Sequence, residues 1–208
     1  MPFFPDRPFS DCAEYGLAYF DLVRKAQANV SGEALSQATL LLDGAVRRGA
    51  TIFACGNGGS AAIANHLLCD FLKGISTGGP IKPRVVTLSS SPELITAIAN
   101  DIGVEDIFAY PLRSLGQKGD ILIAISSSGT SPNIVRAVEA ARALQMPVIA
   151  LTGFRGGQSA ELADVSIHVD ADNYGVVEDV HQSIMHIIAQ YLKQAYFSDQ
   201  DALGAAPF

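Results

Sequence analysis

Residues 121–133 read ILIAISSSGTSPN. The five apolar residues do not alternate with polar ones and are too few for a helix of ordinary length. That is the pattern of a strand buried on both faces. The run stops at three serines and a glycine. Pro132 then supplies the preset φ of a first helical position. A buried strand that turns through small hydroxyl residues into a helix is half of a βαβ unit.

The same order of elements repeats outward. Upstream, residues 51–55 (TIFAC) form a strand, Gly-Asn-Gly-Gly a turn, and residues 60–73 a helix. Residues 74–83 are loop and 84–88 (RVVTL) a strand, after which Ser91 caps a helix that begins at Pro92. Downstream, residues 147–151 (PVIAL) are a strand, 152–158 (TGFRGGQ) a loop, 165–169 (VSIHV) the last strand, and 177–196 a long amphipathic helix. Strands alternating with helices at this spacing predict a three-layer α/β/α sandwich on a five-stranded parallel sheet. Two helices, 11–29 and 33–48, precede the first strand; Ser31 is a natural N-cap and Gly49 a natural stop for the second. They are expected to pack outside the sandwich or between copies of the chain. One domain is expected over 1–208, with N-terminal helices at 10–48, the α/β core and last helix at 49–196, and a frayed tail at 197–208.

Composition limits the function. The chain has 208 residues, 49% of them apolar and only 17% charged, with a net charge of −7. Usual charged content is about 25%. Low charge and 19 glycines favour surface buried against copies of itself. A negative net charge argues against nucleic acid or an anionic membrane as partner. Three cysteines, Cys12, Cys55 and Cys69, form no disulfide framework. No apolar run approaches the roughly 20 residues of a membrane span. The N-terminus lacks the pattern of a signal peptide, so a cytoplasmic protein is expected.

Ligands of open α/β sheets bind outside the carboxyl ends of the strands. The loops Asn57-Gly58-Gly59-Ser60 and Ser126-Ser127-Ser128-Gly129-Thr130-Ser131 both leave a strand there and both enter a helix N-terminus. Backbone N–H groups and hydroxyls at such a place make an uncharged phosphate cradle. Neither loop is a Walker or a dinucleotide motif, so no nucleotide cofactor is expected. Two polar stripes accompany them. His66 and Asp70 are four apart, and Glu178, Gln182 and His186 repeat at four. Each set shares one helix face.

IFACGNGGSAAIANHLLCDFLKG (52–74), ITAIANDIGVEDIF (95–108) and ILIAISSSGTSPNIVRAVEAARALQMPVIALTG (121–153) resemble the sugar isomerase (SIS) domain, in its phosphoheptose isomerase branch. The resemblance spans about residues 10–196. It implies a flavodoxin-like sheet order and a homo-oligomer, a tetramer, with active sites between subunits. It implies Asp70 as base and His186 as acid in an aldose–ketose isomerisation. It places phosphate on Ser60, Ser126, Ser127, Ser128 and Ser131 beside the Gly58 and Gly59 backbone, with Asn57 and Asp101 on the sugar. Some members hold zinc, and His66, Asp70, Glu178 and His186 match that set; Glu178 and His186 lie about 12 Å apart along a helix and reach one ion only by leaning together.

Two positions depart from the family pattern, with Asp70 where it has glutamate and Glu178 where it has glutamine. The implied reaction converts sedoheptulose 7-phosphate to the aldose D-glycero-D-manno-heptose 7-phosphate, for surface polysaccharides. The rival readings are an isomerase of another phosphosugar, a non-catalytic SIS scaffold that binds a replication initiator, and a phosphosugar-sensing regulator.

Overall fold

In β1 (Thr51–Gly56), Ile52 and Ala54 point to one face of the sheet and Phe53 and Cys55 to the other. Both pairs are buried, as the unbroken apolar run requires. β3 (Ile121–Ser126) repeats this, with Ile121, Ile123 and Ile125 on the first side and Leu122 and Ala124 on the second. A one-residue slip would exchange the two sets, so two covered faces pin the register. The structure is a computed structural model and describes residues 3–196; the expected tail at 197–208 lies outside the described residues.

All pairings are parallel, and the order is β2-β1-β3-β4-β5, with β2 at Arg84–Thr87, β4 at Val148–Thr152 and β5 at Val165–His168. Thr51 pairs with Arg84, and Ile52 with Ile121. After β1 the chain first moves to one side and then returns to the other. The strand order therefore reverses between β1 and β3, which opens a crevice at their carboxyl ends. The two polar loops lie there.

One face carries α1 (Cys12–Ala28), α2 (Gly32–Arg48), α3 (Gly59–Cys69) and α8 (Tyr174–Ala195). The other carries α4 (Pro92–Asp101), α5 (Ala109–Leu115) and α6 (Pro132–Ala143), with Leu162 of α7 (Gly157–Leu162) against the same cluster. Capping follows the local chemistry. Ser31 accepts from Ala34 N–H, Ser91 from Leu94 N–H and Asn173 from Val176 N–H, and Gly49 ends α2 at φ 68°.

The structure departs from expectation in four places. α2 is part of the sandwich, because Ala38, Leu42 and Ala45 are wholly buried in the core; α1 packs against α8 and buries Ala26 in the same core. The helix expected at 60–73 stops at Cys69 and widens into a π-helical segment, Asp70–Ile75. α5 and α7 were not expected. Both are short and lack a side-chain cap, and α5 contains Pro111 while α7 starts in a run of two glycines. α8 begins at Tyr174 because Asn173 caps it there.

Candidate active site

The turn after β1 and the turn after β3 are tied together by two amides. Asn57 and Asn133 exchange hydrogen bonds of 2.9 Å in both directions, and Asn133 Oδ1 also accepts from Ile134 N–H. The β3–α6 loop is braced from behind: Gly153 N–H donates to the Ser127 carbonyl, and Ser159 N–H to the Gly129 carbonyl. Ser60, Ser126 and Ser127 are buried at this point. With Ser128 and Ser131 they line a cavity of about 110 Å³, completed by Asn57, Tyr174 and Glu178. Ser127 Oγ is buried there without a hydrogen-bond partner. A buried hydroxyl left unpaired costs about 1–3 kcal/mol, which a ligand oxygen would recover. Among the described residues, no lysine or arginine lines the cavity.

Asn57, Ser60 and the four serines of the second loop thus come together as expected. Asp101 does not. It stands exposed at the end of α4, where its carboxylate accepts from the Asn100 amide. Asn133 was not foreseen, and its signal is slight: an Asn just behind a helix-opening proline.

A second group forms where α3 meets α8. Asp70 Oδ1 is 3.3 Å from His66 Nε2, and Asp70 Oδ2 is 3.0 Å from His186 Nδ1. The two imidazole rings stand edge to face, with centroids 4.9 Å apart. Asp70 is buried, and although His186 is close, Oδ2 has no well-aligned donor. Gln182, one turn before His186, lies 3.0 Å from its Nε2; the four-residue spacing was visible in the sequence, but the bond was not.

His66, Asp70 and His186 each offer one donor atom within 4.8 Å of the others. Two imidazoles, a carboxylate and a buried unpaired oxygen suit zinc or a similar divalent ion with an open coordination position. The expected fourth ligand, Glu178, does not join them. A Cβ built on Gly59 would lie 2.1 Å from one of its carboxylate oxygens, so Glu178 faces the first turn of α3 instead. Burial and the neighbouring Asp179 carboxylate raise its pKa.

His181 lies behind the site. It is fully buried, and its Nε2–H donates to the Thr152 carbonyl at 3.1 Å. Burial pushes its pKa down to about 4, aided by the nearby His168. The unfolded chain therefore takes up a proton near pH 6.5 that the folded chain refuses until about pH 4. Stability is full above that window. It is expected to fall by up to about 3 kcal/mol as pH drops through it. Urea unfolding at pH 7, 6 and 5 checks this, with His181→Gln flattening the slope; a flat wild-type profile would be the contrary result. Cys55 is buried and its thiol is pushed up to about 12, which leaves it as packing.

Comparison with known proteins agrees with this geometry. The SIS domain family model matches residues 18–153. The chain is 35% identical to the phosphoheptose isomerase of Colwellia psychrerythraea over 180 residues, 85% of this chain and 91% of that one. It is 38% identical to that of Bordetella avium over 172 residues, 81% and 87% of the two chains. The phosphoheptose isomerase structure from Francisella tularensis superposes with a TM-score of 0.83 at 32% identity, covering 88% of this chain and 99% of that one. The Neisseria gonorrhoeae enzyme gives 0.79 at 32%, covering 86% and 95%. With a family match over most of the sheet and this identity along nearly whole relatives, the chain belongs to the SIS family and, within it, to the phosphoheptose isomerases.

Proposed function

We propose that the protein converts sedoheptulose 7-phosphate to D-glycero-D-manno-heptose 7-phosphate through an enediol, with phosphate on the serine loops and proton transfer at Asp70 and His186. The observation that carries this is one of length. Glu178, in the phosphate cavity, and His186, beside Asp70, are eight residues apart on α8. At a rise of 1.5 Å per residue that is about 12 Å. The carbon–carbon bonds of an extended heptose, about 1.5 Å each, together with its ester link, put the reacting carbons roughly 10 Å from phosphorus.

The steps balance on this chain's own groups. Asp70 removes a proton from C1 of the ketose while His186 protonates the C2 oxygen, giving the enediol. His186 then takes the proton from the C1 hydroxyl, and Asp70 returns one to C2. Acid–base assistance of this kind is worth about 10²–10⁴-fold. The remote phosphate supplies binding energy that orients the reacting carbons. A zinc ion held by His66, Asp70 and His186 would supply Lewis-acid polarisation of the sugar carbonyl.

The active form is a homotetramer with its sites at subunit contacts. Support comes from exposed apolar side chains on the two outer helices: Leu17 and Phe20 on α1, Ile187 and Tyr191 on α8. No helix of the described residues is long and apolar enough to cross a membrane. The proposed setting is the cytoplasm, ahead of surface-polysaccharide assembly.

The test is incubation of the purified protein with sedoheptulose 7-phosphate in D₂O, followed by NMR. Aldose anomeric signals and deuterium at the exchanging carbon are expected. A folded protein that produces neither would sink the heptose assignment.

A further inference from the structure

Glu178 stands where an anion should go. Its carboxylate lies over Gly59, the first residue of α3, with its two oxygens 2.1 and 2.6 Å from where a Cβ would be. First-turn N–H groups have no partner within a helix, and they attract negative charge. The same carboxylate lines the cavity of Ser60, Ser126, Ser127, Ser128 and Ser131. Among the described residues no cationic side chain lines that cavity to offset it. Nor does any described residue hydrogen-bond to the Glu178 carboxylate. The charges that face it are themselves negative or neutral: Asp179 beside it on α8, whose carboxylate accepts from the Tyr19 hydroxyl at 2.7 Å, and Tyr174 one turn earlier.

We infer that Glu178 is a specificity-determining residue, one that repels a bare oxyanion from the serine cradle and admits a phosphate carried on a hydroxyl-bearing chain. An ionised carboxylate is an acceptor only. A bare dianion such as sulfate offers it no donor and adds like charge at close range, the arrangement that most disfavours binding. A polyol phosphate brings hydroxyl donors on the carbons next to the ester. These satisfy the carboxylate at the moment the phosphate arrives. The residue so converts a general anion hole into a site for phosphosugars, at the expense of affinity for the anion itself. A Cβ at Gly59 would meet the carboxylate and turn it aside, so the glycine leaves room for Glu178 over the helix end.

The sulfate half of this inference stands without the heptose assignment; the sugar half rests on it. Sulfate and sedoheptulose 7-phosphate are each titrated calorimetrically into the full-length protein at pH 8. Wild type, Glu178→Gln and Glu178→Ala are compared, and Glu139→Gln, which removes an exposed carboxylate on α6, controls for net charge. Circular dichroism checks that each variant is folded. Sulfate is expected to bind at least tenfold tighter to both Glu178 variants and unchanged to the control. The sugar phosphate is expected to bind the variants no tighter than wild type. Sulfate affinities within twofold of one another, or an equal gain for both ligands, would overturn the inference. If the sugar phosphate bound no form, the heptose reading and the hydroxyl half would fall together. The sulfate result would still decide whether Glu178 repels anions.

Discussion

Asp70→Asn is expected to lower kcat by about 10²–10⁴-fold while KM for the sugar phosphate stays within a few-fold, and to leave the fold intact. The division between kcat and KM follows from geometry. Asp70 sits between His66 and His186, two helical turns along α8 from the serine cavity. Removing its charge leaves the phosphate contacts in place and takes away the base. An interaction made only in the transition state appears in kcat.

Stability should move the other way. Asp70 is a buried carboxylate whose Oδ2 has no well-aligned donor. A buried charged oxygen left without a donor is costly, so the neutral amide is expected to hold or raise Tm. Lower activity at an equal or higher Tm is the mark of a group kept for chemistry rather than for folding. Asp70→Glu adds one methylene in a closed space between α3 and α8. It is expected to cost about 10²-fold through misplacement of the carboxylate by roughly 1 Å. NMR assays with thermal melts measure both quantities. A Tm that collapses together with activity would make Asp70 structural.

Much of this was legible in the sequence, for reasons tied to particular residues. Ile121–Ile125 and Thr51–Cys55 read as buried strands because both of their faces are covered, and their serine and glycine ends marked the ligand crevice. The His66–Asp70 pair was visible because helix geometry brings residues four apart together. That His186 would stand against Asp70 depends on how α3 crosses α8, which no local pattern contains. Spacing also carried a warning about Glu178: eight residues from His186 was too far for easy joint ligation. The structure turns it toward Gly59 instead. Asp101 rested on resemblance alone, and it lies away from the cavity. Helices α5 and α7 escaped because seven and six residues without a cap carry too little periodic signal. Contacts with the rest of the fold hold them in place, among them Ala109 and Leu112 in the core and the Ser159–Gly129 bond.

Gly129→Ala is expected to destabilise the protein by about 3 kcal/mol or more, far beyond what its backbone angle explains. Gly129 has φ 66°, and Gly49, at the end of α2, has φ 68°. A methyl group at Gly49 meets nothing within 4 Å, so Gly49→Ala carries only the cost of a left-handed alanine, about 1–2 kcal/mol. At Gly129 the same methyl would fall 1.7 Å from the carbonyl oxygen of Gly156 and 2.6 Å from its carbon. Backbone meets backbone there, and no side chain can turn aside. The β3–α6 and β4–α7 loops must separate, which strains the Ser159-to-Gly129 and Gly153-to-Ser127 bonds that hold the serine loop. For a chain of this size each 1 kcal/mol is about 2–4 °C in Tm. The two variants should thus differ by several degrees, with Gly129→Ala the lower. Phosphosugar binding should weaken with it, because the loop that moves carries Ser126, Ser127 and Ser128, while Gly49→Ala leaves the site untouched. Paired thermal melts and calorimetric titrations distinguish these effects. Equal losses of Tm in the two variants would show that the loops do not press on one another as the structure has them.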